Sequence, residues 1–379
     1  MNFLSSGLAG EKLSCWIFNP GSSSIKWAWF NSLVDEEPFI NGQIGKEDFF
    51  VEVKNIIQKK SADVAVIRFV HGGSNFVDPI QITQNNLSEL KALSELAPLH
   101  MHSSLACSKF LLEHFPKIKL IAVFDTEYFN SLPQVSQVYG LPISLQKKHK
   151  LRRYGFHGFA HAGMQKVWNS LQENSKKKIK GSRIVTIQLG SGCSMTAIKD
   201  NQPIDTSMGF TPNEGLLMST RCGDIDPGLV TWLQRHEGWS PDETDYFLNE
   251  KSGWLGVSEE SANMKDLLNS NSDGARLALA IFIQRIHKTL GAYFALMGGL
   301  DSIMFSGGIA EQALPFCHRI LVNLEHLGIK LSENKIEQSL TLTDKNTYCF
   351  SASDSSVACW CIKGNESRLM LDSLIKSLQ

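Results

Sequence analysis

The amino-acid sequence predicts an α/β protein with two domains, and three observations carry this prediction. Strand-like segments at 63–70 and 120–124 alternate with helix-like segments such as 87–96, a pattern typical of α/β architectures. A short apolar strand, a Gly/Ser turn and a second apolar strand occur at 15–30 and again at 184–198. The chain has 379 residues, which exceeds the length at which a single core keeps growing.

Each predicted element of the first half has its own periodicity. In the hairpin at 15–30, the side chains after the turn alternate at period two, as in a strand. The helix at 87–96 places four leucines on one face behind Asn86, a residue type that caps helix N-termini. A cationic stretch follows near residue 150, which indicates a domain junction, the rim of an anion site or a solvated run. Its members are Lys147, Lys148, Lys150, Arg152 and Arg153.

The second half is predicted to open its own sheet at Ile184 and to carry a long amphipathic helix at 275–297. A strand at 302–305 and a Ser-Gly-Gly turn at 306–308 follow it. A strand, a glycine pair and a helix in this order suit the adenosine end of a nucleotide. The segment 355–378 is periodic enough for a terminal helix, which we expect to pack on the first domain.

Composition disfavours several classes of function. The 37 Lys+Arg and 38 Asp+Glu give a formal net charge of -1, so no global basic field indicates nucleic acid or an anionic membrane as a partner. The eight cysteines form no CxxC pair, and free thiols favour a reducing cytoplasm. The N-terminus lacks signal-peptide features and no apolar run is long enough to span a bilayer, so secretion and membrane insertion are disfavoured.

The two Gly/Ser turns suggest two phosphate-binding hairpins. Glycine lets the main chain approach a phosphate closely, serine adds hydroxyl donors, and Lys26 adds a point charge to the first hairpin. Neither turn is a Walker loop, because GxxxxGK[ST] is absent and a strand follows each turn. Each turn alone is more simply an ordinary hairpin connection, and only their pairing favours a ligand site.

Four further residues have side chains that could carry chemistry. Arg68 and Arg221 lie in Gly-rich segments, where a planar guanidinium suits two oxygens of an oxyanion, with ion pairing as the alternative. His157 is flanked by glycines, so its ring either faces a cleft or is a hydrogen-bonded structural histidine. Asp125 ends an apolar strand, where α/β enzymes present catalytic or metal-binding carboxylates, with helix capping as the competing role.

Nine short motifs occur in an order that resembles the acetate kinase family. They are NPGSSSIK, RFVHGG, LAPLH, FDT, RRYGFHG, LGSG, DTSMGFTPNEGL, TRCGDIDPG and SGGIAE. They span nearly the whole chain, and DTSMGFTPxEGL together with TRxGDIDPG is highly specific. The resemblance implies the superfamily of acetate and sugar kinases, heat-shock ATPases and actin. Its two duplicated actin-like domains have ribonuclease H-like sheets flanked by helices, with an interdomain active-site cleft.

The resemblance also implies domain boundaries and an activity. The N-terminal domain would comprise 1–150 with a returning helix from about 354–379, and the C-terminal nucleotide-binding domain would comprise 151–353. The activity would be reversible phosphoryl transfer between ATP and acetate or propionate, giving ADP and an acyl phosphate, with Mg2+ or Mn2+ as the metal. Acetate kinases are homodimers, so the resemblance implies a homodimer. The cytoplasmic location is expected from the cysteine content.

Site residues carry over from the family by position. Arg68 and Arg221 would bind carboxylate and phosphoryl oxygens, and His157 would stabilise the transferring group. Asp125 would act near the metal or the acceptor. The resemblance gives an acyl site of Val70, Leu99, His100, Phe156 and Pro212, and an ATP site of Ser22, Ser24, Lys26, Gln188, Gly190, Ser191, Gly192, Asn263, Met264, Lys265, Gly308, Ile309, Ala310, Glu311 and Gln312.

Elementary chemistry favours a carboxylate acceptor over a sugar. A hydroxyl must lose a proton before it attacks, whereas an ionised carboxylate is already a nucleophile. Its difficulty is repulsion from the γ-phosphate, which the two arginines, His157 and Mg2+ would offset. Asp125 is then an orienting or metal-shell carboxylate and not an obligatory base. Acetate and propionate stay unresolved, since one methylene changes selectivity by only ~1–3 kcal/mol.

Departures from the family pattern lie mostly on the nucleotide side. The family's HLGNG reads QLGSG at 188–192, DMRD reads NMKD at 263–266, and GGIGEN reads GGIAEQ at 307–312. The metal ligands implied are Asn19 and, by ungapped alignment of a stretch that usually carries glutamate, Asp354.

These departures leave three interpretations. The first is an active acetate or propionate kinase with a modified nucleotide site. The second is a kinase of the same superfamily that uses another phosphoryl donor or another carboxylate, and the third is a weakly active nucleotide-binding or regulatory protein. The first is favoured because the residues for the transfer chemistry are retained: Asn19, Lys26, Arg68, Asp125, His157 and Arg221.

Overall fold

Two compact units make up the protein in a computed structural model. The structure describes residues 13–21, 24–45, 49–95, 98–174, 182–332 and 346–378, with the backbone alone at 49, 95 and 98–100. One unit comprises Met1–Asn130 with Asn365–Gln379, and the other comprises Ser131–Gly364. No helix among the described residues combines the length and the apolarity needed to cross a bilayer.

The first unit contains a six-stranded mixed sheet. Its strands are β1 (Cys15–Pro20), β2 (Ser24–Phe30), β3 (Ile40–Gly45), β4 (Val64–Phe69), β5 (Ile80–Gln81) and β6 (Lys119–Phe124). Their spatial order is β3-β2-β1-β4-β6-β5. The strands β1, β4 and β6 run parallel at the centre, while β2, β3 and β5 are antiparallel to their neighbours.

The second unit repeats this topology in a second six-stranded sheet. Its strands are β7 (Arg183–Leu189), β8 (Cys193–Lys199), β9 (Gln202–Thr206), β10 (Ser302–Ser306), β11 (Thr347–Cys349) and β12 (Ala358–Ile362), in the order β11-β12-β10-β7-β8-β9. Again the three central strands, β7, β10 and β12, are parallel and the others antiparallel. The β7–β8 hairpin therefore corresponds to the β1–β2 hairpin, and both predicted hairpins are confirmed.

Helices flank the two sheets. In chain order they are α1 (Phe49–Lys59), α2 (Leu87–Ala92), α3 (Pro98–His114), α4 (Gln134–Gln137), α5 (Ile143–His149), α6 (Gly158–Glu173), α7 (Pro227–Glu237), α8 (Pro241–Glu250), α9 (Gly253–Ser258), α10 (Met264–Asn269), α11 (Asp273–Met297), α12 (Gly308–Gln312), α13 (Leu314–Leu321) and α14 (Glu366–Leu378). Short 3-10 helices lie at Leu93–Glu95, Glu127–Ser131 and Glu325–Leu327.

Two local predictions differ from the structure. Asn86 precedes α2 but its side chain does not cap that helix, because it accepts from Thr83 N and donates to Gln81 O in the turn before it. The predicted helix at 355–378 begins only at Glu366. Its first part is instead the apolar strand β12, which pairs in parallel with β10. As expected, α14 packs on the first sheet, against β1, β4 and β6.

The two units divide the chain at points that differ from the expected boundaries of 150/151 and 353/354. Residues after 130 bond to the second unit, since Ser136 Oγ donates to Ile204 O at 2.6 Å and Arg153 N donates to Gln137 O at 2.8 Å. Because β12 belongs to the second sheet, the chain returns to the first unit at Asn365.

Candidate active site

The three central strands of the first sheet each deliver a polar side chain at their carboxyl ends. Asn19 lies near the end of β1, Arg68 near the end of β4, and Asp125 directly after β6. Because the ends of parallel strands meet at one edge of a sheet, these side chains converge. Arg68 Nη1 donates to Asn19 Oδ1 at 2.9 Å, and Arg68 Nη2 donates to Asp125 Oδ2 at 2.7 Å.

A fourth residue, Glu366, completes this cluster. Asn19 Nδ2 donates to Glu366 Oε2 at 2.6 Å, and the same carboxylate oxygen lies 3.9 Å from Arg68 Nη1. Glu366 is the first residue of α14, where an acidic side chain also interacts favourably with the helix dipole. Glu366 was not among the predicted site residues, because the ungapped alignment of the C-terminal stretch placed the metal carboxylate at Asp354.

Asp354 lies in the second unit and has a different partner. Lys330 Nζ donates to Asp354 Oδ2 at 2.6 Å, and both side chains are exposed. This hydrogen bond from Lys330 holds the pKa of the Asp354 carboxyl below its usual value. The carboxylate that the structure places beside Asn19 is therefore Glu366, and the ungapped alignment had selected Asp354 instead.

The electrostatics of the Arg68 cluster keep its guanidinium charged. Burial by itself would lower the pKa of Arg68, but the carboxylates of Asp125 and Glu366 raise it above the ordinary value. Asp125 is only 1% exposed, so this ion pair is poorly screened by solvent. Among the described residues, no acceptor lies within hydrogen-bond reach of the buried Arg68 Nε. Arg68 Nε is thus a buried donor, and the guanidinium is anchored through its two Nη atoms.

The oxygens of this cluster fit a Mg2+ ion. Mg2+ prefers hard oxygen ligands and is usually bound through one or two carboxylates together with water and substrate phosphates. Asn19, Asp125 and Glu366 present such oxygens around one point of the sheet edge. Within the described ranges there is no group of three His, Cys, Asp or Glu side chains that would form a complete protein cage. Phosphate and water oxygens would therefore have to complete the coordination.

A second cluster forms around Gly192 in the turn between β7 and β8. A Cβ atom placed on Gly192 would lie 3.3 Å from His157 Nε2 and 3.5 Å from Arg221 Nη1. The imidazole and the guanidinium therefore both approach the bare glycine backbone closely. His157 directly precedes α6 and has left-handed backbone dihedrals, with φ 58°. Its Nδ1 lies 2.9 Å from Ser194 Oγ on β8.

Arg221 is held by the loop that follows β9. Its Nη1 donates to Pro212 O at 3.1 Å. Burial lowers the pKa of Arg221, while Glu250 acts in the opposite sense; a guanidinium still remains protonated at neutral pH. The loop itself is fixed by Glu214, which accepts from Tyr139 OH at 2.5 Å and forms an ion pair with Arg153. The carbonyl of Pro212 thus orients Arg221, and the network of Glu214, Tyr139 and Arg153 fixes the loop that carries Pro212.

The residues expected at the acyl site are described only in part. Val70 is buried directly after β4 in the first unit, while Phe156 is buried and Pro212 half-buried in the second unit. Leu99 and His100 lie in α3, and their side chains are outside the described part of the structure.

The first glycine-serine turn is also described in part. Ser22 lies outside the described residues. Gly21 N donates to Ser24 O at 2.8 Å, and Ser24 Oγ accepts from Gln43 Nε2 at 2.8 Å. Lys26 is exposed on β2.

The second glycine-serine turn is tightly connected to its surroundings. Gly190 N donates to Gly192 O at 3.1 Å, and Ser219 N donates to Ser191 O at 3.0 Å. The Ser191 side chain is exposed, whereas Gln188 lies against Gly307. Gln188 Oε1 is buried and has no hydrogen-bond donor among the residues that the structure describes.

The strand, glycine pair and helix predicted for the adenosine end are present as β10, Gly307 and α12. Glu311 Oε1 accepts from Gly307 N at 3.2 Å and from Gly364 N at 3.0 Å. Ile309 and Gln312 lie on the same short helix. Ala310 is fully buried, so its added methyl group packs inside the protein.

The start of helix α10 carries three further residues of the predicted ATP site, Asn263, Met264 and Lys265. Asn263 caps α10 by accepting from Lys265 N at 3.0 Å. Met264 is buried and Lys265 is exposed. A surface depression of about 360 Å³ lies between α10, α12 and α13, and its lining residues are Leu268, Gln312, Ala313, Pro315, Phe316 and Arg319.

Comparison with known proteins decides the family. A sequence model of the acetokinase family matches residues 47–372. The chain belongs to the acetokinase family. Its acetokinase relatives include the acetate kinase of Dictyoglomus turgidum, which is 38% identical over 385 residues, with coverage of 98% of this chain and 89% of the relative.

Solved structures agree with this acetokinase assignment. The acetate kinase of Porphyromonas gingivalis superposes with a TM-score of 0.81 at 28% identity, covering 97% of this chain and 100% of that one. A propionate kinase from Francisella tularensis superposes with a TM-score of 0.83 at 28% identity, covering 95% and 98%. The predicted duplicated actin-like fold is thereby confirmed.

Proposed function

We propose that this acetokinase catalyses reversible Mg2+-dependent phosphoryl transfer between ATP and acetate, giving ADP and acetyl phosphate. The observation that carries the proposal is the pair of arginine clusters. Arg68 is held at the edge of the first sheet by Asn19 and Asp125, and Arg221 is held beside His157 at the Gly192 turn of the second. Propionate is a second acceptor, supported by the similarity to a propionate kinase.

Charge is the central problem of this reaction. The acetate carboxylate needs no general base, because it is already ionised at neutral pH. It is repelled by the anionic γ-phosphate, so cations must neutralise both partners as they approach. Arg68 stays charged through its carboxylate neighbours, and its positive charge would offset that of the acceptor carboxylate. Asp125 orients that guanidinium and is not required to remove a proton.

Arg221 and His157 act on the transferring group in this proposal. Both side chains lie beside Gly192, whose missing Cβ leaves room for an oxyanion to approach. As phosphoryl transfer develops charge on the equatorial oxygens, preorganised donors stabilise the transition state more than the ground state. The backbone carbonyl of Pro212 fixes the Arg221 guanidinium in place.

The residues suited to hold Mg2+ are Asn19 and Glu366, with Asp125 beside them. When bound there, the ion would neutralise phosphate charge. The predicted ATP contacts around Gln188, Lys265 and Gly308 remain part of the proposal. So do a homodimer and a cytoplasmic location, the latter supported by eight cysteines that are all free in the structure.

Acyl phosphate formation tests the proposal directly. Purified protein receives Mg-ATP with acetate, propionate or butyrate in parallel, and Arg221→Ala serves as the blank. We expect turnover with acetate or propionate, and a turnover rate at least about 100-fold lower in Arg221→Ala. This factor is typical of removing one oxyanion-stabilising donor. Folded protein without turnover on any acid would exclude the ATP-dependent reaction and favour another phosphoryl donor or a binding role.

A further inference from the structure

The carboxyl edge of the second sheet carries glycines where the first sheet carries polar side chains. In the first unit, Asn19, Arg68 and Asp125 lie at the ends of the three central strands. At the ends of two corresponding strands in the second unit lie Gly307, directly after β10, and Gly364, two residues after β12. A glycine has no side chain that could fix its own position. Other groups must therefore hold this edge in place.

A single carboxylate oxygen of Glu311 contacts both glycines. Glu311 Oε1 accepts from Gly307 N at 3.2 Å and from Gly364 N at 3.0 Å. A backbone N–H only donates, and a carboxylate oxygen can accept two hydrogen bonds. The fit around Gly364 is close, since a Cβ atom placed there would lie 3.4 Å from Glu311 Oε1 and 3.4 Å from Ser306 Oγ. The ends of β10 and β12 are thus joined through one atom.

Gly307 lies between two of the predicted ATP contacts. Its φ of 97° favours glycine, and a Cβ atom there would lie 2.4 Å from Leu189 O and 2.6 Å from Gln188 Nε2. Its backbone therefore packs directly on the end of β7. A Cβ atom on the next residue, Gly308, would meet no atom of the described chain within 4 Å beyond its neighbours and its own helix. A shift of Gly307 would consequently displace Gln188 on one side and Gly308 on the other.

We propose that Glu311 is a positioning residue for the phosphoryl donor. By holding Gly307 and Gly364, it fixes the backbone that places Gln188 and Gly308. The carboxylate acts through this backbone and not on the polyphosphate, because two anions in direct contact repel each other. The role toward the donor rests on the proposed function, whereas the two hydrogen bonds do not.

Amide hydrogen exchange tests the two hydrogen bonds without any substrate. Protein labelled with ¹⁵N-glycine is transferred to heavy water, and the signals of Gly307 and Gly364 are followed by NMR. In Glu311→Ala both amides should exchange at least about tenfold faster, because each loses a hydrogen bond to a charged acceptor. Glu311→Gln retains a carbonyl oxygen as an acceptor and should recover most of the protection.

Donor binding provides the second arm of the test. In Glu311→Ala, the Kd for Mg-ADP from calorimetry and the KM for ATP should both rise by about tenfold, the scale of one lost hydrogen bond to a charged group. The KM for acetate should change by less than about twofold. Since a mere loss of folded protein lowers the apparent kcat and leaves these constants unchanged, the difference between donor and acceptor constants separates positioning from stability. Glu311→Gln should recover most of the donor affinity.

Glu243→Ala is the matched control. Glu243 Oε2 also accepts from a backbone amide, Ser240 N at 2.8 Å, but it does so at the start of α8 and outside the predicted ATP site. The substitution removes the same chemical group and the same charge. It should weaken the N-terminus of α8 and leave both the Kd for Mg-ADP and the exchange of Gly307 and Gly364 at their wild-type values.

Three results would overturn the proposal. Unchanged exchange of both glycine amides in Glu311→Ala would show that the carboxylate does not hold them. Faster exchange with unchanged donor constants would reduce the contact to a structural one. Folded wild-type protein that binds no Mg-ADP would refute the donor role together with the proposed function, which the first two results leave intact. If Glu311→Ala does not fold, Glu311→Met fills the space without an oxygen acceptor and is measured in the same way.

Discussion

At the scale of single residues, the Arg68 cluster combines one cation with two carboxylates and an amide. Asp125 was predicted because it ends an apolar strand, Arg68 because a guanidinium in a Gly-rich segment suits an oxyanion, and Asn19 only through the resemblance to the acetate kinase family. Glu366 was not predicted, since the apparent helical periodicity of 355–378 concealed the boundary between β12 and α14. Asp354 was chosen by ungapped alignment with a family stretch that usually carries glutamate, whereas Glu366 reaches Asn19 by the return of α14 to the first sheet.

A matched pair of variants separates these two carboxylates. Glu366→Gln should raise the Mg2+ concentration for half-maximal activity by about tenfold or more, because it removes the charged oxygen that is proposed to bind Mg2+ beside Asn19. Asp354→Asn should leave that concentration unchanged, since Asp354 forms an exposed pair with Lys330. Activity measured against Mg2+ at saturating ATP and acetate gives the result. Equal effects of both substitutions would contradict the assignment.

The close approach at Gly192 gives a second prediction at this scale. Gly192→Ala places a methyl group 3.3 Å from the His157 ring and 3.5 Å from Arg221 Nη1. Since small displacements of catalytic groups are costly, kcat should fall by about 100-fold. In Gly140→Ala, outside the proposed site, no described atom beyond the chain neighbours lies within 4 Å of the added methyl group, so this variant should retain most activity. Thermal melts of both variants check that folding is intact.

At the scale of elements, the loop between β9 and α7 is stabilised by one charged network. Arg153 forms an ion pair with Glu214 and donates to Thr206 O and Ser207 O, while Tyr139 OH donates to Glu214 Oε2 at 2.5 Å. The sequence indicated only that Arg153 lies in a cationic stretch. Its lysines are exposed in the structure, but burial of Arg153 depends on a carboxylate that is distant in sequence and could not be inferred.

Glu214→Gln tests that network. The substitution removes the carboxylate that is ion-paired with Arg153 and leaves the more weakly interacting Asp205. It should lower the free energy of unfolding by about 2 kcal/mol. This is less than the roughly 3–5 kcal/mol of a fully buried pair, because solvent still reaches both side chains. Asp273→Asn breaks the exposed pair with Arg276 and should cost about 1 kcal/mol or less. Urea unfolding compares the two variants. If Glu214→Gln lowered the free energy of unfolding no more than Asp273→Asn does, the structural role of Glu214 would be contradicted.

The docking of α14 gives a pH-dependent prediction. Burial raises the pKa of Glu127, whose Oε2 accepts from Ser373 Oγ on α14 at 2.7 Å. A raised folded-state pKa means that the wild type loses stability as pH rises above about 4.5, the value for an unperturbed glutamate, through the folded pKa. Glu127→Gln keeps an acceptor for Ser373 and avoids the buried charge. It should therefore be more stable than wild type at pH 7.

The comparison of unfolding midpoints across pH checks this sign. The advantage of Glu127→Gln should shrink as pH is lowered and disappear near pH 4, where the wild-type carboxyl is protonated in both states. A constant difference at all pH values would indicate a packing effect and contradict the electrostatic explanation.

At the scale of the whole molecule, the same sheet topology occurs twice. The sequence showed the repeated glycine-serine hairpin, because local periodicity and turn residues are visible in short windows, whereas the duplication of whole domains was implied only by the resemblance to the acetate kinase family. It could not predict that β12 belongs to the second sheet, since strand pairing over long separations is set by tertiary packing. Only the second unit, Ser131–Gly364, is continuous in sequence.

This arrangement predicts unequal effects of truncation. Deleting 365–379 removes α14, whose buried side chains Met370, Leu371 and Leu374 cover the first sheet. Hydrogen exchange should show loss of protection in β1, β4 and β6, while β7, β10 and β12 keep theirs. Equal loss in both sheets would show that the two units do not unfold separately.

The buried free cysteines can report when each unit of the protein unfolds. Cys15 and Cys107 in the first unit, and Cys317 and Cys361 in the second, are fully enclosed, and burial raises the pKa of every one of these thiols. A thiol-specific reagent needs both access and a thiolate, so it reacts only with molecules that have opened. Mass spectrometry after brief exposure to the reagent would therefore measure the opening of each unit separately, without any engineered residue.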